Sequence, residues 1–354
     1  MPDGTRFESC VLMRINPPGR LLATIFAVAV LGSACGGGAS DVVGQANQAA
    51  VSTTNLNLVA YSVPKVGFEP VIAAFGQTVA GKGVSFSQSY GASGDQSRKV
   101  AAGAPADVVN FSAAPDVTRL VDAGIVDPGW SANGHHGVAF GSVVVMVVRK
   151  GNPKHIKDWP DLLQAGVEVV TPNPLSSGSA KWNLLAPYAV ASKGGVDDAA
   201  GISYVRALVS DHVHTQPASG AEATQTFLGG TGDVLLSYEN EAIATERQNA
   251  PVEHVIPPAT LAIENPIAVT KTSAHPEQAR AFVDYQYTPA AQELWAAAGF
   301  RPVDATVASK HARDFPTPGK LWTIDDLGGW AKVDPTFFDK ATGSISRIYT
   351  AGGR

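Results

Sequence analysis

Along this chain short apolar, extended stretches alternate with stretches of helical spacing. Leu56–Tyr61 runs Leu/Asn/Leu/Val/Ala/Tyr and predicts a strand ended by Ser62-Val63-Pro64, after which Phe68–Ala80 places its apolar residues at helical intervals. Ala106–Phe111 predicts a second short strand, and Pro115–Ala123 a helix closing at Gly124. Val143–Val148 is an unbroken apolar run of largely β-branched residues, as a strand buried on both faces requires, and Gly151-Asn152-Pro153 stops it. Further on, Leu162–Gly166 predicts a helix end, Val234–Tyr238 and Ile267–Thr270 predict strands, and Pro276–Tyr287 and Pro289–Ala298 predict helices. This alternation predicts an α/β architecture with largely parallel sheets. No stretch reads as a flexible linker between sequential domains, which fits two lobes that the chain crosses between more than once.

Three of the extended stretches run into a Ser/Gly turn that opens a helix. Val84–Tyr90 leads through Gly91-Ala92-Ser93-Gly94 to Asp95–Ala102. Val167–Thr171 leads through Ser176-Ser177-Gly178-Ser179 to Ala180–Ser192, where Pro187 is expected to kink the helix. The shorter His214–Gln216 leads through Ser219-Gly220-Ala221 to Glu222–Leu228. A helix start leaves backbone N–H groups unpartnered and carries partial positive charge, so it attracts anions. Glycine allows close approach, and serine adds a hydroxyl while also capping the helix. One such turn is an ordinary cap. Three predict an anion site assembled from converging helix starts.

The N-terminus has its own pattern. Arg14 and Arg20 precede the apolar run Leu21–Leu31 and then Gly32-Ser33-Ala34-Cys35. A basic region, an apolar stretch too short to span a bilayer and small residues at a cleavage site predict a signal peptide over residues 1–34, with Met13 a second candidate start. Cys35 after small residues is similar to a bacterial lipobox, although Gly32 stands where Leu is usual. Lipid on the Cys35 thiol, followed by a flexible tether over residues 35–54, would hold the protein to the outer face of the cytoplasmic membrane. Cys10 and Cys35 are the only cysteines, so the mature fold is expected to lack a disulfide.

Apolar residues at 45% and charged residues at 16% describe a globular chain with a sizeable core. The net charge of −5 stays negative once residues 1–34 are removed, which excludes an electrostatic footprint for nucleic acid. An anion must then be held by local dipoles. Other motifs are weaker. Gly76–Gly83 approaches a P-loop, but Gly83 follows Lys82 where Ser or Thr is needed, so a capped helix end is the better reading. His135-His136 and His212-Val213-His214 lack a clear third metal ligand. No Gly-x-Ser-x-Gly elbow exists, and no Ser is placed by motif beside a His and an Asp. No cofactor, metal or catalytic residue is implied.

The stretches Gly91–Gly94, Ala106–Val109, Val148–Pro153, Val170–Pro174 with Ser176–Gly178, Trp182-Asn183, Ser219–Ala221, Gly232–Leu235 with Glu239–Ala242, and Arg301-Pro302 carry a resemblance. Together they resemble the bacterial sulfate-binding proteins, the substrate-binding lipoproteins of sulfate/thiosulfate ABC importers, of mycobacterial or actinobacterial type. The resemblance implies a type II periplasmic-binding-protein fold: two α/β lobes, each a mixed sheet flanked by helices, with the ligand in the cleft between them. Lobe 1 would comprise residues 55–142 plus 262–354 and lobe 2 residues 143–261, with crossings near Gly141–Val148 and Pro257–Asn265. It also implies a monomer, a permease and an ATPase as partners, and a dianion held by uncharged groups. Ser93 would then give a hydroxyl and an N–H; Ser177, Gly178 and Ser179 would give the start of the next helix. Ala221 and Ser62 would each give a backbone N–H. The chain departs from the family in having Ser62 in place of Asp, Ser179 in place of Gly, Glu222 in place of a basic residue, and Tyr238 in place of the indole donor. Sulfate is the ligand this implies, with thiosulfate, molybdate/tungstate or phosphate as alternatives. A secreted serine-dependent phosphate or sulfate ester hydrolase is the alternative of a different class.

Overall fold

The computed structural model describes residues 54–351. The expected signal peptide, Cys35 and most of the tether lie outside the described residues; Thr54 is already the first residue of β1. Among the described residues nine strands form: β1 (Thr54–Tyr61), β2 (Val84–Gly91), β3 (Val108–Asn110), β4 (Val138–Arg149), β5 (Val169–Val170), β6 (Val234–Tyr238), β7 (Val252–Val255), β8 (Ala259–Val269) and β9 (Lys320–Trp322). The helices named below are α1 (Lys65–Phe75), α2 (Ser93–Ala101), α3 (Ala114–Asp122), α4 (Gly178–Ala191), α5 (Asp198–Ala207), α6 (Gly220–Leu228) and α7 (Glu239–Arg247). Then come α8 (Pro276–Gln286), α9 (Pro289–Ala297), α10 (Ala305–Lys310), α11 (Trp330–Val333) and α12 (Ser344–Ala351).

Hydrogen bonding links the strands in the order β2-β1-β3-β8-β4-β6-β5, with β7 on β4 and β9 on β8. The pairs β1–β2, β1–β3, β5–β6 and β8–β9 are parallel, as the alternating pattern predicts. The rest are not. β3–β8, β4–β8, β4–β6 and β4–β7 are antiparallel, because two long strands run between the parallel sets. β4 pairs with β8 up to Val143↔Ala262 and changes partner at the next residue, where Val144 faces Tyr238 of β6. β8 changes partner as well: Ala259–Leu261 lie on β9, Ala262–Pro266 on β4 and Ile267–Val269 on β3. Val143–Val148 is fully or almost fully buried, as its unbroken apolar run requires.

The aromatic residues Phe68, Phe140, Trp295 and Phe300 pack in one cluster, with Phe140 and Trp295 centroids 3.9 Å apart. α4 is buried around its whole circumference from Gly178 to Ala189, beyond the single apolar face its spacing suggested. Its second cover comes from the C-terminal segment. Trp330 meets Trp182 edge-on at 4.8 Å, Phe337 tilts onto Tyr188 at 4.7 Å, and Asp334 pairs with Lys181. Thus residues 330–338, expected with the first lobe, pack against a helix expected in the second. α4 also runs through Pro187 to Ala191 as one helix. His214–Gln216 forms no strand; a single bridge, Val170↔Thr215, is all that extended stretch contributes.

Candidate functional site

The parallel strands deliver their helices at a common edge. The register Tyr61↔Gly91 and Ala60↔Asn110, continued one or two residues, brings Ser62, Ala92 and Ser112 level at the ends of β1, β2 and β3. Each Ser/Gly turn begins its helix about two residues earlier than the apolar spacing indicated, at Ser93, Gly178 and Gly220. The turn residues are therefore the first helical residues, whose N–H groups lack intrahelical acceptors.

The three turns touch. Gly94 N–H donates to Ser176 O at 3.1 Å, joining the first turn to the second. A Cβ on Gly178 would lie 2.9 Å from Ser112 Cβ and 3.2 Å from Ser93 Cβ, so only glycine permits this approach. A Cβ on Gly220 would lie 3.0 Å from Ser179 Oγ and 3.4 Å from Val63 Cγ2, which places the third turn beside the second and beside the end of β1. Ser93, Ser177, Gly178, Ser179 and Tyr238 are thereby brought together and buried. Ser62 and Ala221 flank the same place and are half-buried.

The helix starts differ in what their donors do. α2 and α4 have no side-chain cap. Ser177, the N-cap of α4, shares a hydrogen with Ser179 at 2.8 Å instead of capping. α6 is capped: Glu222 N–H donates to Ser219 Oγ at 3.2 Å, while the Glu222 carboxylate accepts from Ala218 N–H at 3.0 Å. These two bonds turn Glu222 back along its own turn and leave Gly220 and Ala221 outside the cap.

A buried acid, Asp116, and a half-buried one, Glu241, stand behind the turns. Ser93 Oγ–H donates to Asp116 Oδ2 at 2.6 Å, and Arg119 Nη1 donates to Asp116 Oδ1 at 2.8 Å. Glu241 accepts from Ser237 Oγ at 2.9 Å and Thr224 Oγ1 at 3.1 Å; burial pushes its carboxyl above the ordinary value. Burial likewise holds Tyr61 and Tyr238 as neutral phenols, with further upward pressure from Glu241 on both. The Ser/Gly pattern missed Ser112, Asp116 and Glu241. Ser112 follows β3 without a glycine beside it; its signal was positional, as the end of a parallel strand level with the other turns.

A cavity of about 200 Å³ lies against Gly94, Ser176 and Gly178, and Arg98, Arg119 and Lys181 also line it. No cluster of three or more metal-ligating side chains exists among the described residues. His135 stacks on Tyr287 at 5.0 Å, and His212 Nδ1 pairs with Val167 O at 2.9 Å. Gly76–Gly83 forms the turns that end α1, with Gly81 N–H on Thr78 Oγ1.

Residues 56–301 match the model of the bacterial extracellular solute-binding protein family. The sulfate-binding protein of Synechococcus elongatus is 37% identical over 325 residues, 89% of this chain and 90% of that one. The structure of the sulfate-binding protein SubI from Mycobacterium tuberculosis H37Rv is 61% identical, with a TM-score of 0.80 over 81% of this chain and all of that one. A periplasmic thiamin-binding protein, 18% identical, shares the fold with a TM-score of 0.66 over 85% of this chain and 96% of its own. With its partner-switching long strands, its mixed sheets and its row of helix starts at one edge, the chain belongs to the bacterial extracellular solute-binding proteins and has their two-lobed periplasmic-binding-protein fold.

Proposed function

We infer that this protein captures sulfate outside the cytoplasm and delivers it to the permease and ATPase of an ABC importer. The observation that carries this reading is the convergence of the uncapped starts of α2 and α4 with the buried hydroxyls of Ser177, Ser179 and Tyr238. Such donors suit a fully ionised oxyanion. Ser62, Ser93 and Ala221 add backbone N–H groups, and Gly178 the centre of the second turn. The names of the relatives support sulfate as the cargo.

In this reading the lobes divide at 142/143 and 261/262. The partner switch of β4 after Val143, and of β8 before Ala262, supports that division. Sulfate bridges the lobes, its contacts favour closure, and the closed monomer docks on the permease. A lipid on Cys35 keeps it at the outer face of the cytoplasmic membrane. The protein catalyses nothing in this scheme: Ser93 donates a hydrogen bond to Asp116, whose carboxylate is also held by Arg119, and Ser177 is paired with Ser179.

Calorimetry with sulfate and phosphate tests the reading. A phosphate O–H buried against donors alone is left unsatisfied, so phosphate should bind at least about tenfold more weakly. Scattering should show compaction with sulfate. Equal affinity for both anions, or turnover of a sulfate ester that is lost in Ser177→Ala, would contradict it.

A further inference from the structure

Ser112 belongs to none of the Ser/Gly turns, yet five neighbours close on it. Its N–H donates to Ser93 Oγ at 3.0 Å. Its carbonyl accepts from the Trp182 indole at 2.7 Å and from the Asn265 amide at 3.3 Å. Gly178 abuts its Cβ. All four contacts use backbone or Cβ, so alanine would keep them. The hydroxyl is the one part of Ser112 that the packing does not require. It lies 2.6 Å from the Tyr238 hydroxyl, which among the described residues is its only hydrogen-bond partner.

A buried O–H with one available partner either donates to that partner or strands its proton, which costs about 1–3 kcal/mol. Ser112 therefore donates to Tyr238. With Ser112 donating to its oxygen, Tyr238 has an acceptor position filled and one proton to give. Burial keeps that proton on the phenol.

We propose that Ser112 is a specificity-determining residue: its hydroxyl occupies the acceptor side of Tyr238 and makes the phenol a pure donor toward the bound oxyanion. The inference rests on the sulfate reading above and explains how a tyrosine does the work of an indole. Without Ser112 the phenol regains a lone pair, and an oxyanion that carries a proton finds an acceptor in the site.

The test is calorimetry on the full chain with sulfate and selenate, which are unprotonated at neutral pH, and with phosphate, which is not. Ser112→Ala should leave sulfate and selenate within about threefold of wild type while tightening phosphate by about tenfold. Adding Tyr238→Phe should abolish the phosphate gain, because the acceptor is gone. An unchanged sulfate-to-phosphate ratio in Ser112→Ala, or equal weakening of all three anions, overturns the proposal and leaves the sulfate reading standing. A wild type that binds neither sulfate nor selenate overturns both.

Discussion

Arg301 grips Glu239 at two points, Nε on Oε2 at 2.6 Å and Nη2 on Oε1 at 2.8 Å. Glu239 is fully buried and opens α7 directly after Tyr238, while the Arg301 backbone exchanges both hydrogen bonds with Gly141 of β4 at 2.9 Å. The ion pair thus fixes the point where the chain leaves β6 for α7. Arg301→Met should leave a carboxylate buried and unpaired, and removing one partner of such a pair typically costs about 3–5 kcal/mol. Urea unfolding measures this, and Glu239→Gln with Arg301→Met together should cost less than Arg301→Met alone. An unchanged midpoint in Arg301→Met would show the pair to be energetically idle.

Ser93 was expected to give its hydroxyl to the ligand; in the structure that hydroxyl donates to Asp116 Oδ2 and its oxygen accepts from Ser112 N–H. Ser93→Ala strands two buried groups at once. The expected outcome is a loss of about 1–3 kcal/mol in stability, read by denaturant unfolding without sulfate. A variant of full stability that binds sulfate poorly would mean that the hydroxyl turns to the ligand.

Glu241 sets a pH dependence. Burial raises its carboxyl above the ordinary 4.5, against the bonds from Ser237 and Thr224. The folded protein therefore holds this proton more tightly than the unfolded chain does. The contribution of Glu241 to stability is fully present below about pH 4.5 and is lost as pH rises through the folded value. Glu241→Gln removes that loss, so the variant should gain on wild type as pH climbs above 4.5 and then level off. Unfolding free energies measured from pH 4 upward check this, and a difference that does not vary with pH counts against it.

Cys35 tests the tether. If the thiol carries lipid, the protein made by its native host should partition into detergent and Cys35→Ala should stay aqueous. One acyl chain anchors weakly, so a processed cysteine bearing two or more is expected. Identical partitioning of the two proteins would leave secretion alone.

The sequence made the strands and turns legible where local chemistry decides them. Val143–Val148 announced a strand buried on both faces, and Ser177-Gly178 a helix start. Long-range pairing was not legible. Nothing in β4 or β8 shows that their partners are antiparallel or that both change neighbours in mid-strand. Ser112 was invisible because its role comes from β1, β2 and β3 ending level, which is a property of register. The cover on α4 was missed for the same reason: Trp330 and Phe337 lie far from Trp182 and Tyr188 in sequence.

That cover bears on when the protein can fold. α4 is made first, and Asp334, which pairs with its Lys181, follows 153 residues later. Until then Trp182 and Tyr188 stand uncovered, and contacts of such long sequence separation are slow to form. A chain whose helix waits for so late a segment remains threadable through a narrow pore until that segment is made. The order of elements itself postpones folding, which suits a protein that must pass through a membrane before it takes shape.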